Sequence, residues 1–172
     1  MKKRLNVITL AAMLTAMSVV IGIFCKNFLN FGGGLFRITF ENLPIILSGI
    51  VFGPIIGAVV GVASDMVSYF LSAQVYPPNL VVTLGAAVVG AVSGIVSRVI
   101  IKNRGYGQII ASGVSAHLIG SVIIKSIGLY QFYGAAILWR IPLYVFIISI
   151  EVLLLCLLYK NLSFRKLIDK IS

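Results

Sequence analysis

Asp65 is the residue from which a chemical reading of this sequence starts. It lies inside a long apolar stretch, with Gly61, Ser68, Tyr69 and Ser72 at helical spacing around it. A carboxylate near the centre of a bilayer costs about 2.5–3.5 kcal/mol even on insertion scales, so it needs a partner or a polar cavity. Two roles are open to it: a buried ion pair with Arg37 or Arg140, or a hydrogen-bond acceptor for a ligand's amino group. Arg37, Lys125 and Arg140 each fall at or near the end of an apolar segment, in separate parts of the chain. Any one of them could snorkel to lipid headgroups. Three converging on one side outline an electropositive pocket for an anion. His117, Ser121 and Lys125 follow at i, i+4 and i+8 as a polar stripe, and Arg140, Tyr144 and Glu151 form another at i, i+4 and i+11. A histidine alone reads as a packing residue, but the stripe brings His117 into the candidate set. Glu151 reads as a structural partner. Aromatic Phe36, Tyr69, Tyr76, Tyr130, Phe132, Tyr133 and Trp139 gather near the same segment ends. An interfacial belt is expected there, and flat ligands could also stack on it. With Asn79 and Thr83, the residues Phe36, Tyr69, Tyr76 and Trp139 complete the candidate ligand contacts.

What is missing narrows the chemistry. The chain has no GxxxxGK[ST] phosphate loop, no HExxH, no GxSxG and no carboxylate pair at catalytic spacing. Cys25 and Cys156 sit on the first and last apolar segments, and no CxxC or Cys/His cluster supports a metal site or disulfide framework. Two inverted halves, a mark of many secondary transporters, are not evident either. The pattern suits a binding component that takes its energy from elsewhere.

The elements that must position these residues are membrane helices. Of 172 residues 60% are apolar and only 10% charged, and the mean hydropathy is +1.11. Soluble domains carry about 25% charged residues, so there are too few charges here to cover a water-facing surface. Charge-free runs of 21, 23, 32 and 20 residues start at Leu5, Asn42, Met66 and Gly105; a spanning helix needs about 20. Breaks at Gly53-Pro54, Tyr76-Pro77-Pro78-Asn79 and Lys102-Asn103-Arg104-Gly105 divide the chain further. The reading is an all-α integral membrane protein of one domain with six transmembrane helices, at about 5–25, 42–52, 55–73, 80–101, 107–127 and 137–159. An aromatic loop covers Tyr130 to Tyr133, and a basic tail follows Lys160. Met1-Lys2-Lys3-Arg4 precedes an apolar run longer than a signal peptide's, without a small-x-small cleavage site, so this first span is expected to be retained.

With six spans, ten of the 14 Lys and Arg residues fall on one side and four, Lys26, Arg37, Lys125 and Arg140, on the other. The positive-inside rule puts both termini in the cytoplasm and accounts for most of the +10 net charge without nucleic acid. Gly49, Gly53, Gly57 and Gly61, and likewise Ala86, Gly90 and Gly94, recur every four residues as helix-packing stripes. Ala12 and Ala16 repeat that spacing on the first helix, where the groove could be internal or face a partner.

The run Arg37-Ile38-Thr39-Phe40-Glu41-Asn42-Leu43-Pro44-Ile45-Ile46-Leu47-Ser48-Gly49, then Phe52-Gly53-Pro54, then Gly57 to Asp65, resembles the substrate-binding S components of energy-coupling factor (ECF) vitamin transporters. Within that family it is most similar to the folate-specific branch. In length and span count the likeness covers the whole chain, and in motif about 37 to 79. It implies a bacterial cell-membrane protein of six helices, not an enzyme, with a substrate site open to the outside and the segment after the first helix as a lid. It implies no cofactor, folate being the transported ligand. Ala12 and Ala16 match the A-x-x-x-A motif that, by resemblance, docks on a transmembrane coupling protein bearing two ATPases. Folate's two carboxylates suit Arg37, Lys125 and Arg140, its flat middle suits aromatic rings, and its pterin suits Asp65. Pantothenate or biotin would use similar cations, and a lipid-modifying enzyme or a purely structural subunit are readings of a different class.

Overall fold

A computed structural model describes residues 2–31, 36–72, 78–101 and 105–161, with the side chains of 2–4 excepted. Helix α1 (Lys2–Phe28) is 27 residues long, about 40 Å at 1.5 Å per residue. It runs three residues past the expected end at Cys25, because nothing between Lys26 and Phe28 breaks a helix. Two short strands follow, β1 (Asn30–Phe31) and β2 (Phe36–Arg37), paired antiparallel with Asn30 opposite Arg37. Among the described residues this hairpin is the departure from an otherwise helical fold, the fold expected from the sequence. Two residues per strand give no period-2 pattern to read, so the sequence carried no signal for it.

Helix α2 (Asn42–Phe52) ends where expected, at Gly53, whose φ of +97° is one that a side chain would strain. Pro54 then opens α3 (Pro54–Leu71), in the first turn where its missing N–H is no loss. Arg98 reaches back across this break and its Nη2 donates to the Val51 carbonyl at 2.7 Å. Helix α4 (Leu80–Ile95) is capped by Asn79, whose Oδ1 accepts from Val81 N at 2.9 Å, and it continues through a π-helical stretch, Val96–Ile100. Helix α5 (Tyr106–Ala116), a second π stretch (His117–Ile124) and α6 (Lys125–Tyr133) form one continuous rod. The expected aromatic loop from Tyr130 to Tyr133 is therefore helical, the break falling at Gly134 with φ +56°. A 3₁₀ stretch, Gly134–Trp139, leads into α7 (Arg140–Lys160), which starts three residues later than expected.

Four helical stretches among the described residues are long and apolar enough to cross a bilayer: Leu5–Phe28, Pro54–Leu71, Leu80–Ile100 and Tyr106–Lys160. The last of these, 55 residues with a turn at Gly134, is longer than one crossing requires. Helix α2 is apolar but, at 11 residues, reaches only about 17 Å. Its side chains are mostly buried instead, and Ile45, Ile46, Ile50 and Val51 lie at the centre of the apolar core.

Polarity is arranged inside out. Large apolar side chains such as Leu5, Ile55, Phe70 and Leu80 point outward, while Ser18, Ser48, Ser64, Ser93, Ser97, Ser112 and Ser121 are buried between helices. The two small-residue stripes meet each other. A Cβ on Gly57 would stand 2.5 Å from the Gly90 carbonyl oxygen, and one on Gly61 would strike the Ala86 carbonyl. Backbones this close gain the dispersion contacts that hold helices together in lipid.

Candidate functional site

One end of the bundle holds an open cavity of about 240 Å³, walled by α1, the hairpin, α2, α3, α4, α6 and α7. Of the residues singled out from sequence, Arg37, Asp65, Tyr69, Asn79, Thr83, Lys125 and Arg140 all line it. They come from five parts of the chain that the fold brings together. Phe36, His117 and Trp139 do not line it. Trp139 is 72% exposed at the start of α7, and Phe36 lies exposed on the hairpin. His117 is fully buried against Glu151, Nε2 facing Oε2, away from the cavity. Tyr76 lies outside the described residues. Ala12 and Ala16 are exposed on the outer face of α1, beside exposed Met13 and Met17.

Among the lining residues not marked as ligand contacts are Lys26, Glu41 and Asn42. Lys26 had counted only as an outer-side cation, and Glu41 and Asn42 only as letters in a motif. Glu41 could have been found. It is one of four acidic residues in the chain and stands at i+4 from Arg37, the spacing of a helical ion pair.

Glu41 organises the floor. Its Oε1 lies 3.5 Å from Arg37 Nη2 and 3.6 Å from Lys125 Nζ. The same ammonium donates to Asn42 Oδ1 at 3.0 Å, and Asn42 Nδ2 donates to Ser121 Oγ at 3.3 Å. The π stretch delivers Ser121 and Lys125 to this network, its wider turn being a departure often found at functional sites. Gly85 makes room for the lysine stem, since a Cβ there would stand 2.6 Å from Lys125 Cγ. On the opposite wall Lys26 Nζ donates to Ser68 Oγ at 2.8 Å and Ser72 Oγ at 3.3 Å. Asp65 pairs with neither Arg37 nor Arg140; its Oδ2 accepts from Thr83 Oγ1 at 2.6 Å. Arg140, only 3% exposed, sits with its guanidinium 5.3 Å from the Tyr144 ring centre. Its Nε, like that of Arg37, has no hydrogen-bond partner among the described residues.

The cavity wall therefore carries four cations, Lys26, Arg37, Lys125 and Arg140, against two carboxylates, Glu41 and Asp65. Two positive charges are left over, together with unspent guanidinium donors. Such a site takes an anion, with aromatic Tyr69, Phe132, Tyr133 and Tyr144 to flank a flat body. Among the described residues no group of three or more His, Cys, Asp or Glu side chains could hold a metal ion.

The family model described as "ECF transporter, substrate-specific component" matches residues 6–164. The chain belongs to this family. It is a membrane transporter's substrate-specific component and not an enzyme, as the motif resemblance implied. Its fold is similar to that of a crystal structure described as FolT bound with folic acid, with a TM-score of 0.67 and 23% identity over 95% of this chain and 94% of that one. An uncharacterized protein, MG098 homolog, of Mycoplasma pneumoniae is 30% identical over 95 residues, 55% of this chain. The matched stretch of this chain spans only 19% of that relative's length.

Glu41 makes the site acid-sensitive in a defined window. Burial pushes its carboxyl up, but Arg37, Lys125 and Lys26 outweigh burial and hold it down at about 2, from an ordinary 4.5. A depressed carboxylate contributes stability that is fully present above the unfolded value and is lost as pH falls through the folded one. Thermal unfolding of the purified protein should thus show a contribution on the order of 3 kcal/mol, lost between pH 4.5 and 2. Glu41→Gln should flatten this acid limb and leave the profile from pH 5 to 8 parallel to wild type.

Proposed function

We propose that this substrate-specific component binds folate at the outer face of a bacterial cytoplasmic membrane and delivers it to an ATP-driven ECF transporter for uptake. The observation that carries the reading is the charge balance of the cavity, four cations facing two carboxylates. Folate brings two carboxylates and so neutralises the site. Pantothenate and biotin bring one each and would leave a buried charge unpaired, at a cost that favours the dianion. Asp65, held by Thr83 with its second oxygen available, suits the amino and ring N–H donors of a pterin. The tyrosines between suit an aminobenzoate ring. The fold shared with FolT, whose crystal structure holds folic acid, supports the same reading.

In this reading the chain passes the membrane six times with both termini cytoplasmic: three separate long helices, the two halves of 106–160, and the short α2, which is shielded from lipid inside the bundle and does not span its full thickness by itself. The ten-to-four split of Lys and Arg supports the orientation. The exposed Ala12–Ala16 face of α1 docks on the transmembrane coupling protein that carries two ATPases, since uphill uptake needs an energy source this chain lacks.

Three measurements test these statements. Arg37→Ala and Arg140→Ala should each weaken folate binding about 10- to 150-fold in calorimetry, the range of one desolvated charge-assisted contact. Wild-type affinity in the double variant would remove the pocket as the site. Cys25 is 1% exposed and useless as a topology probe, so cysteines should replace exposed Asn30 and Lys160 in a cysteine-free background. Impermeant thiol reagents on intact cells should label position 30 and spare position 160; the reverse pattern inverts the orientation. Ala12→Trp or Ala16→Trp should leave folate binding to the purified subunit nearly intact and abolish ATP-dependent uptake by the reconstituted complex. Uptake that survives both changes, or binding that fails along with it, sinks the docking assignment.

A further inference from the structure

Glu41 is a carboxylate placed where a cavity built for an anion would be expected to carry none. Its side chain lies between Arg37 and Lys125, two of the four cations that line the site. At 3.5 and 3.6 Å it is farther from both than the 2.7–2.9 Å of a closed charge-assisted hydrogen bond. Arg37 Nη2 donates to it only at the long end of the hydrogen-bond range, and Lys125 gives its shorter bond to Asn42 Oδ1. Its position is nevertheless fixed: Ser18 Oγ donates to the Glu41 carbonyl at 2.7 Å. A Cβ on Gly22 would stand 2.8 Å from Oε2, so α1 holds the carboxylate from behind. A side chain anchored this firmly and paired at this distance subtracts one charge from the cavity and leaves the Arg37 and Arg140 Nε–H groups without a partner among the described residues.

We propose that Glu41 is a specificity-determining residue that sets how many negative charges the cavity accepts, admitting a dicarboxylate and rejecting a tricarboxylate. This rests on the anion-uptake reading of the same cavity. With Glu41 present, two positive charges are uncompensated, and a third ligand carboxylate would meet net negative surroundings. With Glu41 neutral, three are uncompensated and the third carboxylate is matched. One charge several ångströms away in a partly buried site changes affinity on the order of tenfold or more.

The test compares wild type, Glu41→Gln and Glu41→Asp, the last keeping the charge. Calorimetry in nanodiscs would measure pteroic acid, folic acid and pteroyl-diglutamate, which share one head and carry one, two and three carboxylates. Wild type and Glu41→Asp should bind folic acid at least tenfold tighter than pteroyl-diglutamate. In Glu41→Gln that ratio should fall about tenfold, with folic acid still bound. An unchanged ratio overturns the proposal. If no pteridine binds wild type, the folate reading has failed and a head-independent series decides on Glu41 instead. Propionate, glutarate and tricarballylate would be compared as thermal stabilisers of the same three proteins. Glutarate should lead in wild type and Glu41→Asp, and tricarballylate in Glu41→Gln. The same order in all three proteins, or no stabilisation by any of them, rejects the role of Glu41.

Discussion

The interaction on which the rest depends is the capture of the Lys125 ammonium by Asn42 and Glu41 inside a lipid-facing bundle. An unpaired ammonium there would carry a penalty of several kcal/mol, so the chain must bring an amide and a carboxylate from one segment to a lysine more than 80 residues away. Lys125 Nζ reaches Asn42 Oδ1 at 3.0 Å, and Asn42 ties in Ser121 on the same rod. That requirement explains why α2 is short and buried rather than a full-length span. Its first residue is Asn42, and Glu41 precedes it, so the start of α2 is positioned by the polar floor while its apolar body fills the core. It also explains Gly85, which opens α4 just enough for the lysine stem to pass.

Around that floor, stability comes from contact rather than from the hydrophobic effect, because lipid is as apolar as a leucine side chain. The Gly57–Gly90 and Gly61–Ala86 approaches let α3 and α4 touch backbone to backbone. Serines rather than leucines fill the gaps between helices. The break at Gly53 serves the same end: its positive φ turns α2 into α3 so that both lie against α4, and Arg98 secures the turn by bonding Val51 O. A rigid frame of this kind is what allows four cations to stand around a cavity at fixed distances.

How much of this was legible in the sequence follows from what a single residue can signal. Asp65, Arg37, Lys125 and Arg140 were legible because a charge in an apolar run is costly and must be explained; all four line the cavity. The helices were legible from charge-free length. Direction was not. Trp139 and Phe36 are aromatics at segment ends, as candidates should be, yet both point outward. His117 shares a stripe with Lys125 but meets Glu151, because eight residues of helical rise set it on the order of 10 Å farther along the rod, away from the cavity. The hairpin of two-residue strands is too short for any pattern. The helical course of Tyr130 to Tyr133 was hidden because aromatic clustering reads as an interface, and Gly134, not the aromatics, is the actual break.

Helix α1 turns one side to the cavity and leaves the other exposed. Ser18, Gly22 and Lys26 succeed one another every four residues on its inner side, and each meets the site: Ser18 holds the Glu41 carbonyl, Gly22 abuts the Glu41 carboxylate, and Lys26 is bound to α3 through Ser68. Ala12, Met13, Ala16 and Met17 lie on the opposite side, exposed. At 100° per residue, Ala16 and Ser18 point about 200° apart, so no side chain belongs to both faces. If that exposed side is the docking face proposed above, coupling to the cavity would have to act through the helix as a body. A ligand anion that draws Arg37 or Lys125 away from Glu41 changes what holds Glu41 against α1. The tilt or rotation of α1 that relieves the change would reposition the Ala12–Ala16 groove with no wire of side chains between them, because a long helix is stiff enough to carry displacement along its length.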